Sequence, residues 1–282
     1  MNRRVLVILV VGLFVISGLL IYLRYCASNI RSSRVVFFNV GQGDSALIDF
    51  GNGQKMLVDC GPDRKILSKL GQYLPFYDRT IDYLLISHPD LDHYGGCVDV
   101  LRRYDVKNII ENGATKSDPY FQVWDKYRHD EGAHLQTISG AQTKHFGSST
   151  LEFLSPDPNL NMPAKDREGN NLSIVFRLIQ GDKTILFVGD AEVPLESALV
   201  QKYCVTSSTC PALRADYLKV GHHGSDSSSS DGMLSVVAPS VAIISVGKNT
   251  FGHPSFRVMK HLERIGADIW RTDEKNDIII GD

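Results

Sequence analysis

The sequence predicts an α/β chain folded as an αββα sandwich, two sheets packed face to face with helices on both outer sides. Three observations carry that reading. Short apolar runs alternate with helical stretches in both halves of the chain. Glycine turns such as GQGDS and GNG punctuate the runs. Residues 34–282 hold no repeat and no long linker that would mark a second domain. Apolar residues make up 43% and charged residues 22% of the chain, an ordinary globular balance that allows a sizeable core.

The amino terminus stands apart. Residues 5–23 are an uncharged run preceded by Arg3 and Arg4 and followed by Arg24. That length suits one transmembrane helix, and the leading arginines place the amino terminus in the cytoplasm and the body outside. Residues 1–24 are therefore read as a single-pass membrane anchor, with a cleaved signal segment and secretion as the competing reading. Cys26 invites a lipoprotein reading, but Leu23, Arg24 and Tyr25 are too bulky and charged for the usual cleavage box.

From residue 34, RVVFFNV, ALIDF and KMLVDCG read as strands joined by the GQGDS and GNG turns. Turn capping accounts for Asp44 as well as any chemical role does, whereas Asp59 ends an otherwise buried strand. Helical spacing over residues 65–74 stops at Pro75. The stretch 81–96, IDYLLISHPDLDHYGG, then concentrates the chemistry. A buried strand runs into a loop carrying His88, Asp90, Asp92 and His93. Two carboxylates so close together repel unless a cation sits between them. In an extended loop alternate side chains project together, so His88, Asp90 and Asp92 converge while His93 reaches a second point, which suits two metal ions. Gly95 and Gly96 let the backbone turn into a helix over residues 97–104.

The aromatic residues Tyr120, Trp124 and Tyr127 recur at helical spacing and read as a core face rather than a base-stacking platform. His129, His134 and His145 read as surface residues. Residues 156–169 form a polar loop that arches toward the site, followed by Asn170, Asn171 and the strand LSIVFRL. TILFVGD places Asp190 at the end of a buried strand, and a helix follows over residues 193–203. DYLKVGHHGSDSSSS delivers His222, His223 and Ser225 into a loop whose serines, 227–230, read as flexible. Adjacent side chains of an extended chain diverge, so His222 is taken as a ligand and His223 as facing substrate or an acid. VAIISVGKNTFGHPSF, with Lys248 and His253, is strand, turn and helix start.

HPDLDHYGG resembles the HxHxDH loop of metallo-β-lactamase-fold hydrolases, with Asp90 where the commoner pattern has a histidine. The HxDxDHxGG variant is similar to the extracytoplasmic hydrolase domain of ComEC-type DNA-uptake proteins. NVGQGDS, VDCGP, NNLSIVFRL, ILFVGDAE and SVGKNTFGHP fall in the family's order across residues 34–282. The resemblance implies the metallo-β-lactamase type of αββα sandwich and two divalent metal ions, Zn2+ or Mn2+. One ion falls to His88, Asp90 and Asp190, and the other to Asp92, His93, Asp190 and His222. It also implies that Asp59 orients the ligand loop from behind. Asp92, Asp190, His223 and His253 are the catalytic candidates, His253 as proton donor to a leaving oxygen. Asn171, Ser225 and Lys248 are the substrate-binding candidates. Asn171 touches metal or substrate, and Lys248 steadies negative charge or is simply solvated.

Five cysteines, Cys26, Cys60, Cys97, Cys204 and Cys210, leave at least one unpaired. Cys204 and Cys210 are expected to close a short disulfide loop, while Cys60 and Cys97 are either buried or paired. The formal charge is −2, and −4 once Arg3 and Arg4 are set aside, which argues against a strongly nucleic-acid-binding surface as a whole. One hydrophobic segment cannot form the multi-helix channel of ComEC. The expectation is therefore a membrane-tethered phosphodiesterase or nuclease outside the cytoplasm, with a phosphodiester such as DNA as its substrate. A hydrolase of a lactone or cell-wall phosphodiester and a non-catalytic metal-binding module of a membrane assembly are the alternatives.

Overall fold

A computed structural model describes residues 4, 12–20, 33–205 and 209–281. Strands β1 (Arg34–Phe37), β2 (Ala46–Asp49), β3 (Lys55–Val58), β4 (Thr80–Leu85), β5 (Asp105–Glu111) and β6 (His134–Thr137) join the last strand, β14 (Ile278–Gly281), in one sheet. Its order is β14-β1-β2-β3-β4-β5-β6. The second sheet contains β7 (Gln142–Phe146), β8 (Ser149–Ser155), β9 (Val175–Gln180), β10 (Lys183–Phe187), β11 (Tyr217–Lys219), β12 (Val241–Ile244) and β13 (Asp268–Arg271). They pair in the order β13-β12-β11-β10-β9-β8-β7.

Each sheet begins as an antiparallel meander and ends as parallel strands. Pairing is antiparallel from β1 to β3 and parallel from β3 to β6. It is antiparallel from β7 to β10 and parallel from β10 to β13. The parallel strands of both sheets end at one rim, where the loops are free to carry chemistry.

Strand alternation explains the layers. Val35 and Phe37 point into the core between the sheets, while Val36 and Phe38 pack beneath the outer helices. Phe187 joins the layers of the inter-sheet core, its ring 5.3 Å from Phe37 and 4.6 Å from Phe176. Truncating such a side chain costs about 3–5 kcal/mol. The helices Lys65–Tyr73, Cys97–Leu101 and Pro119–Asp130 cover one sheet, and Val193–Tyr203, Asp231–Val237 and Phe256–Arg264 cover the other.

Several local expectations change. The helix after the ligand loop is Cys97–Leu101 rather than residues 97–104, since Asp105 already opens β5. On Pro119–Asp130, Phe121, Trp124 and Arg128 are buried but Tyr120 is 68% exposed, so the core face is not the predicted stripe. The serine loop is packed rather than flexible. Ser228 and Ser229 are buried, Ser228 Oγ donates to the Gly221 carbonyl, and the amides of Ser229 and Ser230 donate to the buried Glu196 carboxylate. Both disulfides are present, Cys60–Cys97 and Cys204–Cys210, and Cys26 lies outside the described residues. The apolar run 5–23 falls largely outside them too. Residues 12–20 are helical, and among the described residues no helix is long and apolar enough to cross a membrane.

Candidate metal centre

Four strand ends build the site. Asp59 follows β3, residues 86–93 follow β4, Asp190 follows β10, and His222 and His223 follow β11. Asp59 adopts φ 55°, an uncommon conformation for an aspartate, and turns its carboxylate back under the ligand loop. It accepts from the Ser87 amide at 2.8 Å and the Ser87 hydroxyl at 2.7 Å, and it lies 2.9 Å from His93 Nδ1. That contact holds a proton on Nδ1, so the proton that metal binding displaces is the one on Nε2, which then presents its lone pair to the ion.

The loop is not extended throughout. Asp90 has extended backbone, but Leu91–Tyr94 is a helical turn, so alternation orders only its first part. Asp92 and His93 reach the site from that turn. Gly95 and Gly96 have ordinary helical angles, so conformational freedom is not their reason. A Cβ at Gly95 would meet the Pro62 carbonyl oxygen at 2.2 Å, and one at Gly96 the Cys60 carbonyl oxygen at 2.5 Å. Close backbone approach explains both.

His222 and His223 also depart from the extended geometry. Their φ values of 46° and 52° lie in the left-handed region, on a tight turn from Gly221 to Gly224. His223 is the one turned into the cluster. Its Nε2 lies 3.1 Å from Asp92 Oδ2 and 3.4 Å from Asp190 Oδ2, and its Nδ1 lies 2.9 Å from the Ser245 carbonyl oxygen. His222 stands at the rim, Nε2 3.8 Å from Asp190 Oδ2 and Nδ1 3.4 Å from Glu192 Oε1. The sequence order of preference between them is thereby reversed.

Ligand atoms of Asp92, His93, Asp190 and His223 all fall within 4.8 Å of one another. His93 Nε2 is 3.3 Å from Asp190 Oδ2, and His88 Nε2 is 3.8 Å from Asp90 Oδ1. Tetrahedral bonds of about 2.1 Å separate ligand atoms by about 3.4 Å, so these spacings match a metal shell. Buried His88 Nε2, His93 Nε2 and Asp190 Oδ1 make no hydrogen bond. Three unbonded buried polar atoms facing one small volume are costly without a cation to receive them. A second grouping, Asp44, Asp59 and His93, also has close ligand atoms. Asp59 is engaged by Ser87 and Asp44 Oδ2 by Lys219, while Asp44 Oδ1, unbonded, lies 3.3 Å from His223 Nδ1, so the grouping supports the centre from behind.

Electrostatics follow from the crowding. Burial resists charge on His93 and His223, but Asp190 with Asp59, and Asp190 with Asp44, outweigh it and hold both imidazoles well above their ordinary pKa. Burial likewise opposes charge on Asp190, yet His223 and His93 hold it well below the usual carboxylate range. His88 has no such compensation, and burial followed by His93 pushes it down to about 4. Burial, then His222 and His223, lowers His253.

The remaining candidates scatter. The His253 ring lies 5.5 Å from that of His222, with Nδ1 unbonded. Asp90 is ion-paired with Lys116 at the rim. Asn171 is buried and accepts from the Glu192 amide at 3.2 Å, and Ser225 is buried against Ser227 Oγ at 3.0 Å. Lys248 is exposed. Sequence reasoning passed over Ser87, Lys219 and Glu192 and left Asp44 undecided between turn cap and chemical role. A lysine inside the apolar strand before two histidines was the available signal, because a buried cation requires a buried acid.

The sequence pattern of the metallo-β-lactamase superfamily matches residues 38–248. The chain belongs to that superfamily. The superfamily assignment makes it a metal-dependent hydrolase by class, and the site has the divalent-metal character of the fold. Among curated proteins it is similar to "ComE operon protein 3" of Bacillus subtilis, 27% identical over an alignment of 278 positions that covers 92% of this chain and 34% of that protein. It is also similar to "Competence protein ComA" of Neisseria gonorrhoeae, 31% identical over 196 residues, 69% of this chain and 24% of that protein. The chain thus spans about a third of the first relative's length and about a quarter of the second's. Among solved structures, the metallo-β-lactamase-fold protein YhfI from Bacillus subtilis covers 88% of this chain and 99% of its own, with TM-score 0.55 at 14% identity. That likeness is one of fold.

Proposed function

We propose that this metallohydrolase is a phosphodiesterase, a nuclease in its natural setting, which works through two divalent ions on the outer side of the cytoplasmic membrane. The observation that carries the reading is the set of unbonded buried atoms, His88 Nε2, His93 Nε2 and Asp190 Oδ1, at one rim of the sandwich. Asp92, His93, Asp190 and His223 are the residues for one ion, and His88, Asp90 and Asp190 for the other. Such a pair supplies Lewis acidity to a phosphoryl oxygen and makes a water nucleophilic near neutral pH. Three imidazole nitrogens and three carboxylates accept either zinc or manganese, so the metal is a variable of the assay.

The protein's own groups fix the orientation. Asp59 and Ser87 hold His93, while Asp44 and the Ser245 carbonyl oxygen hold His223 at Nδ1. His222, braced by Glu192, Asn170 and Ser227, is left to meet the substrate at the rim. His253, its pKa lowered, serves as a neutral N–H donor to the phosphate rather than as an ionised acid.

Residues 5–23 are read as the membrane anchor. The two disulfides support an oxidising compartment for the folded body. Similarity to competence proteins supports DNA as the substrate and a link to DNA uptake. The test is the full chain assayed on single-stranded DNA, RNA and a generic phosphodiester with manganese or zinc, beside Asp190→Ala. Metal-dependent cleavage of nucleic acid that Asp190→Ala abolishes is the expected result. Turnover of lactones or cell-wall phosphodiesters alone moves the substrate elsewhere, and metal uptake without turnover of any substrate refutes the enzymatic reading.

A further inference from the structure

We infer that the base of the sandwich, opposite the metal centre, rests on an anionic phospholipid bilayer through Phe76, Tyr77 and a group of arginines; the inference builds on the anchor reading above. The parallel strands run from this base to the catalytic rim. Thr80 and Asp105, which open β4 and β5, are paired there, and Lys55 at the start of β3 donates to the Thr80 carbonyl oxygen at 3.1 Å. Arg34, the first residue of β1, lies at the same end. Its Nη2 donates to the Tyr73 carbonyl oxygen at 3.3 Å, and its guanidinium lies 5.7 Å from the Tyr73 ring. The chain that continues from the apolar run therefore enters the fold beside the end of the helix Lys65–Tyr73.

Just beyond that helix, Phe76 is 85% and Tyr77 72% exposed, with ring centroids 5.4 Å apart. Two adjacent aromatic rings on one exposed tip have no role in the core. Behind them a groove of about 420 Å³ runs along the helix, with Arg79 and Arg103 at the base beside Phe76 and Tyr104, the Arg79 guanidinium 5.6 Å from the Tyr104 ring, and Arg64 at the helix's far, rim-side start. No carboxylate pairs with any of these three arginines among the described residues. Two acids of the base are taken, Asp78 by Lys55 at 3.0 Å and Asp105 by Lys107. Exposed aromatic rings beside unpaired cations are the chemistry of a membrane interface, where the rings lie at headgroup depth and arginines meet lipid phosphates.

The length of the tether keeps this end of the fold within reach of the bilayer. Residues 24–33 separate the apolar run from the fold, and a fully extended chain spans at most about 3.6 Å per residue. The chain enters the fold at this end, beside Tyr73, and the exposed tip nearest that entry is the aromatic one. This orientation turns the metal centre away from the lipid. A nucleic-acid strand is the rival occupant of the arginine groove, but it does not account for rings set at the end nearest the tether.

The test uses the full chain reconstituted in phosphatidylglycerol vesicles with brominated or ordinary acyl chains, bromine quenching tryptophan on contact. Phe76→Trp is compared with Tyr120→Trp, a rim position 68% exposed, after subtraction of the parent's signal. The expected result is at least two-fold quenching of the added emission for Phe76→Trp and none for Tyr120→Trp, with Arg79→Gln and Arg103→Gln together reversing most of it. Equal quenching at both positions, or none for Phe76→Trp in chains that float with the vesicles, overturns the inference while the anchor stands. Chains that do not float with vesicles overturn both. Oligonucleotide binding lost in the double arginine variant, without lipid quenching, assigns the groove to nucleic acid instead.

Discussion

Lys219 Nζ lies 2.6 Å from Asp44 Oδ2, with both side chains almost wholly buried directly behind the metal centre. The other Asp44 oxygen is 3.3 Å from His223 Nδ1, so one carboxylate joins a core lysine to a ligand histidine. Burial alone would raise the Asp44 pKa, but Lys219 and then His223 outweigh it and hold the group far below the usual range. Lys219→Met removes the buried lysine cation and leaves Asp44 with His223 as its remaining counter-charge, a loss expected to approach that of a broken buried pair, about 3–5 kcal/mol. Urea unfolding of the metal-free chain measures it. A loss under about 1 kcal/mol would mean that the pair behaves like a solvated surface bridge.

Asp59 supports His93 in the same way without a lysine. Asp59→Ala frees the His93 ring and the Ser87 hydroxyl, both buried. Metal affinity is expected to fall about 10–100-fold, the range for loss of a carboxylate behind a ligand histidine. Competition with a chromophoric chelator reads this directly, with circular dichroism of the variant showing that the fold persists.

These supports mark the boundary of what the sequence disclosed. Strand alternation in RVVFF and the ligand-dense HPDLDH loop were legible because period and residue type carry them. The αββα layering and the gathering of Asp92, His93 and Asp190 followed. The orientation of His222 and His223 was not legible, since it depends on two left-handed backbone conformations that no hydrophobic pattern encodes. Asp44 was equally hidden, because its partners stand more than a hundred residues away, on and just after β11. The packed serine loop owes its order to Glu196 on a helix, a contact between distant segments that composition cannot reveal.

Metal binding is expected to displace protons. In the metal-free chain His93 and His223 hold their protons well above the ordinary imidazole pKa, against burial, because Asp190, Asp59 and Asp44 stabilise the cations. Ligation requires the neutral rings, so near pH 7 about two protons leave per loaded site and apparent affinity rises with pH. Calorimetry in buffers of different ionisation enthalpy counts them. For the metal-free fold the sign is opposite. The stabilisation from these two raised groups is complete below about pH 6.5 and disappears as pH rises through their folded-state values. His88, pushed down to about 4, works against this, and its share of stability is lost as pH falls from about 6.5 through 4. Proton uptake on metal binding at neutral pH would contradict the charge state assigned to the cluster.

The Cys60–Cys97 disulfide joins the end of β3, immediately after Asp59, to the helix that follows the ligand loop. It closes a loop with sequence separation 37, against 6 for Cys204–Cys210. Chain entropy assigns about 4 kcal/mol to the longer closure and about 2.4 kcal/mol to the shorter. Paired substitution Cys60→Ser and Cys97→Ser should therefore destabilise the chain more than Cys204→Ser with Cys210→Ser, as read by denaturant midpoints. Only the first pair should also weaken metal binding, because it alone brackets the segment that carries His88, Asp90, Asp92 and His93. Equal losses of affinity from both pairs would show that the bridge near the centre acts through global stability and does not locally hold the ligand loop.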